Sequence, residues 1–169
     1  ETDPIRPVAD AVVDAVLPHV APQVSAMIEI QRLTGMRSQE VTTMRGRDLD
    51  MSGKIWVYTP ATHKTAHHGH ERPIYLGPRA QEVVRPYLKA DLSAYLFAPD
   101  EAEEFRRNKL RKHRKTKVQP SQLNRSKRRR KRRPGERYTT STYRRAIARG
   151  CDIAFPPPAA LARVPKETR

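Results

Sequence analysis

Apolar residues recur along the first part of the chain at the spacing of helices. Between residues 7 and 20 they fall every three or four positions, which predicts a first helix. A second helix is predicted from Pro22, which suits a first helical turn, to Gly35, which is a typical helix stop. A third, short helix is predicted from about Ser38 to Met44.

The pattern then changes from a helical to a strand-like one. Residues 54–59 are β-branched and aromatic and predict a strand, and residues 72–76 predict its partner. A polar loop over residues 60–71 connects the two strands. A further helix is predicted after Pro78, and Pro86 is expected to kink it because proline lacks a backbone donor.

Charged residues dominate the second part of the chain. A helix is predicted from Pro99, because its first turn is acidic and its later turns are basic, which suits the helix macrodipole. A last helix is predicted to be capped by Thr140 or Ser141 and to end in the proline-rich run at residues 155–158. The elements together predict an α+β fold that is mainly helical, with a small antiparallel β-sheet packed on helices.

The positive charge is concentrated in one block. The 169 residues include 34 Lys/Arg and 18 Asp/Glu, for a net charge of +16, and residues 106–149 hold 20 of the cations but only one acid, Glu136. Such a block repels itself and is expected to bind a polyanion, most commonly nucleic acid. A solvated, flexible insertion without a specific partner is the alternative. The cations expected to contact phosphates are Arg125, Lys127, Arg128, Arg129, Arg130, Lys131, Arg132 and Arg133.

Other features exclude several classes of protein. The sequence has no run of about twenty apolar residues, which excludes a membrane span, and no signal peptide is visible. One cysteine, Cys151, cannot form an internal disulfide, so we expect a cytoplasmic protein. Histidines in the predicted loop do not have the spacing of a familiar zinc site, so no metal is expected. These histidines are His63, His67, His68 and His70.

Residues 33–41 read L-T-G-M-R-S-Q-E-V, which resembles the first active-site box of the tyrosine recombinases, the phage-integrase family, written T-G-x-R-x-x-E. The context agrees, because a helix is predicted before Arg37, another after it, and then a hairpin. Lys64 stands in the hairpin connection, where the family carries a catalytic lysine. The resemblance extends over residues 22–100 and, more weakly, over residues 138–155.

The resemblance implies the recombinase catalytic-domain fold and its chemistry. The family breaks and rejoins DNA strands through a phosphotyrosyl link, without a metal or nucleotide cofactor. Arg37 is then expected to hold the phosphate, since a guanidinium contacts two oxygens and keeps its charge. Lys64 is expected to protonate the leaving 5′ oxygen, and Glu40, one helical turn after Arg37, to support the arginine. The implied partners are double-stranded DNA and further recombinase protomers.

Two parts of the family's active site have no match in the sequence. None of the six histidines is followed three residues later by arginine, so the H-x-x-R box is missing. All six tyrosines precede the place where that box would fall, so none matches the nucleophile. We therefore expect the chain to be inactive alone. It divides into the first part of a catalytic domain at 1–105, a basic insertion at 106–137 and a truncated continuation at 138–169.

Two other classes of protein fit the charge. One is a non-catalytic, basic nucleic-acid-binding protein, and the other is a structural basic protein of the ribosomal type. The set Arg37, Glu40 and Lys64 distinguishes a recombinase from both of these classes, because a protein that only binds nucleic acid has no reason to keep it. Both alternatives leave that set unexplained.

Overall fold

The computed structural model describes Pro4 and residues 7–62, 72–122 and 135–161. Within these ranges the chain forms six α-helices and three short β-strands. The helices are α1 (Asp10–Val16), α2 (Pro22–Thr34), α3 (Ser38–Thr42), α4 (Pro78–Val84), α5 (Pro99–Lys112) and α6 (Thr140–Ala154). The strands are β1 (Leu49–Asp50), β2 (Trp56–Tyr58) and β3 (Ile74–Leu76).

The strands form one antiparallel sheet in the order β1-β2-β3. The predicted hairpin is confirmed, because Trp56 pairs with Leu76 and Tyr58 with Ile74. These four side chains are buried, whereas the residues between them are not, as the two-residue period of a strand requires. The third strand, β1, was not predicted, since two residues carry no periodicity.

The predicted second helix is confirmed as α2, which supplies the centre of the core. Val24, Met27 and Ile30 lie on its buried face. The helix ends at Gly35, whose φ of 67° lies in the left-handed region that glycine adopts without strain. The backbone N–H of Gly35 donates to the carbonyl of Gln31 and closes the last turn at 2.8 Å.

Three of the predicted helices are shorter than expected: α3 ends at Thr42 instead of Met44, and the other two changes occur near a proline. The first α-helix covers only Asp10–Val16, and a 3₁₀ turn that contains Pro18 follows it. The prediction that Pro86 kinks a helix was wrong, because α4 ends at Val84 and passes into a second 3₁₀ turn. A proline has no N–H to donate to an α-helical carbonyl, so at both places the α-helix ends and the chain continues as a 3₁₀ turn.

The last predicted helix is confirmed, but it begins one residue earlier than expected. Thr139, and not Thr140 or Ser141, is the N-cap: its hydroxyl accepts from the backbone N–H of Thr142 at 3.2 Å. The hydroxyl of Thr142 in turn accepts from the N–H of Thr139 at 2.8 Å. The two threonines thereby satisfy backbone donors that would otherwise lack partners.

The architecture is therefore α+β and mainly helical, with a small antiparallel sheet packed on helices, as predicted. The core gathers residues of α2, α3, α4, β2 and β3 together with Leu96 and Phe97. Tyr138 and Tyr143 also belong to it and attach the end of the described chain to its first part. None of the helices that the structure describes is long and apolar enough to cross a membrane.

Candidate functional site

Glu40 lies at the start of α3, and its side chain is only 2% exposed. One carboxylate oxygen, Oε2, accepts from the backbone N–H of Arg37 at 2.7 Å. The other, Oε1, accepts from Nη1 of Arg37 at 3.2 Å. A glutamate three residues into a helix often reaches back to the first free backbone donor, so local sequence alone favours this arrangement.

A second arginine binds the same carboxylate from another part of the chain. Nε of Arg72, just before β3, donates to Oε1 of Glu40 at 2.7 Å. Sequence reasoning treated Arg72 only as the start of the return strand and missed this role. No local signal in the sequence indicated it, because Arg72 lies 32 positions from Glu40.

The cluster of Arg37, Glu40 and Arg72 carries a net positive charge. The carboxylate is buried, while the side chains of Arg37 and Arg72 are 45% and 35% exposed. Among the described residues neither guanidinium makes any hydrogen bond other than those to Glu40. Because a guanidinium has five N–H donors, both arginines keep donors that no hydrogen bond among the described residues uses.

The strand β2 secures the backbone of α3 at this point. The hydroxyl of Tyr58 donates to the carbonyl of Glu40 at 2.9 Å. Tyr58 is fully buried, and burial raises the pKa of its hydroxyl well above the ordinary value. The phenol therefore stays protonated and continues to donate across the whole range of physiological pH.

A second set of hydrogen bonds fixes the residue that precedes Arg37. Tyr143 of α6 donates to Oε1 of Gln31 at 2.7 Å, and Nε2 of Gln31 donates to the carbonyl of Met36 at 3.0 Å. Burial raises the pKa of Tyr143 as well. An open pocket of about 410 Å³ lies against this set, and its lining residues are Gln31, Ser38, Thr140, Ser141, Tyr143, Arg144 and Ile147.

Two arginines from distant parts of the chain contact the ring of Tyr95. The ring of Tyr95 has the guanidinium of Arg45 at 4.1 Å and that of Arg137 at 5.5 Å from its centre. Arg45 also donates a hydrogen bond to the Tyr95 hydroxyl. Tyr95 precedes the basic insertion at 106–137 and Arg137 is its last residue, so cation–π contacts hold the end of the insertion against the chain that precedes it.

The structure thus brings together some of the predicted site residues. Arg37 and Glu40 are in contact, as expected. Lys64 and the four loop histidines lie outside the described residues, and so does the whole predicted cluster of phosphate-binding cations from Arg125 to Arg133. Trp56 and Tyr58 are buried in the core, which agrees with a structural role for the hairpin aromatics.

Comparisons of the chain with protein-family models, with curated proteins and with solved structures find no match. The function must therefore be inferred from the chemistry of the residues. Among the described residues, the cluster around Glu40 has the most specific geometry: a buried acid holds two half-exposed arginines from separate parts of the chain.

Proposed function

We propose that the chain is part of the catalytic domain of a site-specific tyrosine recombinase, which breaks and rejoins DNA strands through a phosphotyrosyl intermediate. One observation carries the proposal. The arginine of the T-G-x-R-x-x-E motif is held by the glutamate of the same motif; its side chain is 45% exposed, and its other N–H donors make no hydrogen bond to the described residues. A motif arginine with a merely structural role would not need to leave these donors available.

This arrangement suits the chemistry of phosphodiester cleavage. Negative charge develops on the non-bridging phosphate oxygens, and fixed N–H donors stabilise it without having to reorganise. Glu40 accepts from Nη1 of Arg37 and leaves Nη2 and Nε to contact a phosphate. Arg72, on the same carboxylate, adds a second cation to the site. Protonation of the leaving oxygen by Lys64 and attack by a tyrosine from elsewhere in the enzyme stay predictions.

Double-stranded DNA is the proposed partner, and further protomers would complete the recombination reaction. The second candidate is a non-catalytic nucleic-acid-binding protein. The observation that favours it is the run of exposed cations in α5, which would bind a polyanion without any catalytic site. It does not explain why one buried carboxylate holds two arginines, so we rank it second.

Replacement of Arg37 by alanine tests the phosphate contact. We expect Arg37→Ala to weaken binding to duplex DNA by about tenfold at low salt, since hydrogen bonds to charged groups contribute about 1.5–3 kcal/mol. The slope of log K against log salt should become shallower by about 1, because one fewer phosphate is neutralised. Fluorescence anisotropy over a series of salt concentrations measures both quantities.

Arg32 offers a matched control. Its guanidinium contacts Asp10 at 3.0 Å and Asp14 at 2.7 Å, so its charge is already neutralised within the protein. Arg32→Gln removes the same formal charge and should leave the salt slope unchanged. Equal effects of Arg37→Ala and Arg32→Gln would show that Arg37 does not contact a phosphate, and the proposed site would be wrong.

A further inference from the structure

The helix α5 leaves the core soon after it begins. None of its fourteen residues is buried, and Ala102 near its start is its one hydrophobic residue that packs, partly buried, against the core. Further along, Phe105 and Leu110 are 48% and 59% exposed. The second half of α5 therefore contributes little to folding, and its sequence needs another explanation.

That second half is strongly cationic. Glu103 binds Arg106 at 2.9 Å and Arg107 at 3.0 Å, and the hydrogen bond from Arg106, assisted by Arg107, lowers the pKa of Glu103 to about 2. Beyond these pairs, the cations have no acidic partner among the described residues. They are Lys109, Arg111 and Lys112 in the helix and Arg114, Lys115 and Lys117 after it, and all are exposed.

The cations surround the helix instead of lining one side. With about 3.6 residues per turn, Lys109, Arg111 and Lys112 point in three different directions. A helix that binds a membrane surface needs an apolar face opposite its charges, but Phe105 and Leu110 are five positions apart and lie on different sides. A groove with negative charge on both walls, by contrast, offers phosphates to cations on both flanks of the helix.

We propose that residues 106–112 of α5 enter the major groove of double-stranded DNA and place their cations against the phosphates of both walls. The major groove of B-DNA is about 12 Å wide, and a helix with its side chains is about 10–12 Å across. This interface goes beyond the proposed catalytic function, because it involves none of the residues around Glu40 and requires no strand cleavage.

The triple variant Lys109→Gln/Arg111→Gln/Lys112→Gln tests the interface. Glutamine is a good helix former, so α5 should persist, which circular dichroism checks. We expect the slope of log K against log salt on duplex DNA to become shallower by about 0.9 for each phosphate that the variant no longer neutralises. A matched control, Lys54→Gln/Arg79→Gln/Arg85→Gln, removes the same charge from other exposed positions and should change the slope much less.

The type of nucleic acid distinguishes groove insertion from general attraction. The major groove of duplex RNA is deep and narrow, so the protein should bind duplex DNA more tightly than duplex RNA, and the α5 triple variant should abolish this preference. Equal effects of the two triple variants would overturn the proposal, and so would equal binding of duplex DNA and duplex RNA. It would also be overturned if the α5 triple variant lost binding to anionic vesicles but kept binding to duplex DNA. The Arg37→Ala result is independent, so the failure of one proposal can be told from the failure of the other.

Discussion

At the scale of single residues, Glu40 is the most constrained side chain of the candidate site. Burying a carboxylate is costly unless cations and hydrogen bonds compensate for the missing hydration. Arg37 supplies a backbone and a side-chain donor, and Arg72 supplies a third. The carboxylate therefore serves the stability of the fold while it orients two cations.

The replacement Glu40→Ala should lower the free energy of unfolding by about 1–3 kcal/mol, because it removes the charged acceptor of three hydrogen bonds. The destabilisation stays moderate since both arginines are partly exposed and can be rehydrated. Urea unfolding measures the change, and Glu82→Ala, at an exposed position of α4, is the control that should have almost no effect. A change of similar size in both variants would mean that the cluster around Glu40 does not stabilise the fold.

The contact between Arg37 and Glu40 could be predicted because the two residues are three positions apart and belong to one motif. The contact with Arg72 could not, since Arg72 is 32 positions from Glu40 and only the pairing of β2 with β3 brings it near. Local spacing therefore predicted half of the cluster, and tertiary structure was needed for the rest.

At the scale of secondary-structure elements, the position of α6 depends on a close approach at Gly150. A Cβ atom added there would lie 2.6 Å from Cγ1 of Val20 and 3.1 Å from Cγ1 of Val16. Both valines have short, branched side chains that cannot move far. Glycine is thus required because the helix α6 packs directly against the end of α1 and the turn that follows it.

The replacement Gly150→Ala is therefore expected to destabilise the protein by about 1–3 kcal/mol, the usual cost of overpacking. On an exposed helix the same change would stabilise by about 1 kcal/mol. Thermal unfolding shows whether Gly150→Ala lowers or raises the stability. Adding Val20→Ala to the Gly150→Ala variant should relieve the clash and recover part of the stability. A more stable Gly150→Ala variant would show that α6 does not approach Val20 this closely.

Element boundaries show what a pattern can and cannot indicate. The ends of α2 followed from Pro22 and Gly35, because both residues have strong positional preferences. The start of α6 was misplaced by one residue, since three of the four residues from Thr139 to Thr142 are threonines and the fourth is a serine, and all have capping hydroxyls. Only the reciprocal bonds of Thr139 and Thr142 identify the cap.

At the scale of the whole molecule, an ordinary core is combined with a strongly basic segment. The alternation of apolar positions was sufficient to predict the helices and the hairpin that build the core. It gave no indication that the Tyr95 ring would contact both Arg45 and Arg137, because Arg45 and Tyr95 precede the basic insertion and Arg137 is its last residue. Charge predicted a polyanionic partner, but only the structure shows how α5 exposes its cations.

The central claim is that the cluster of Arg37, Glu40 and Arg72 belongs to a recombinase, and the coding DNA tests it most directly. We would sequence the source DNA upstream of the codon for Glu1 and downstream of the codon for Arg169. Our account predicts that the reading frame continues into an H-x-x-R box followed by a tyrosine. A stop codon directly after Arg169, or a continuing frame without that box and tyrosine, would contradict the account.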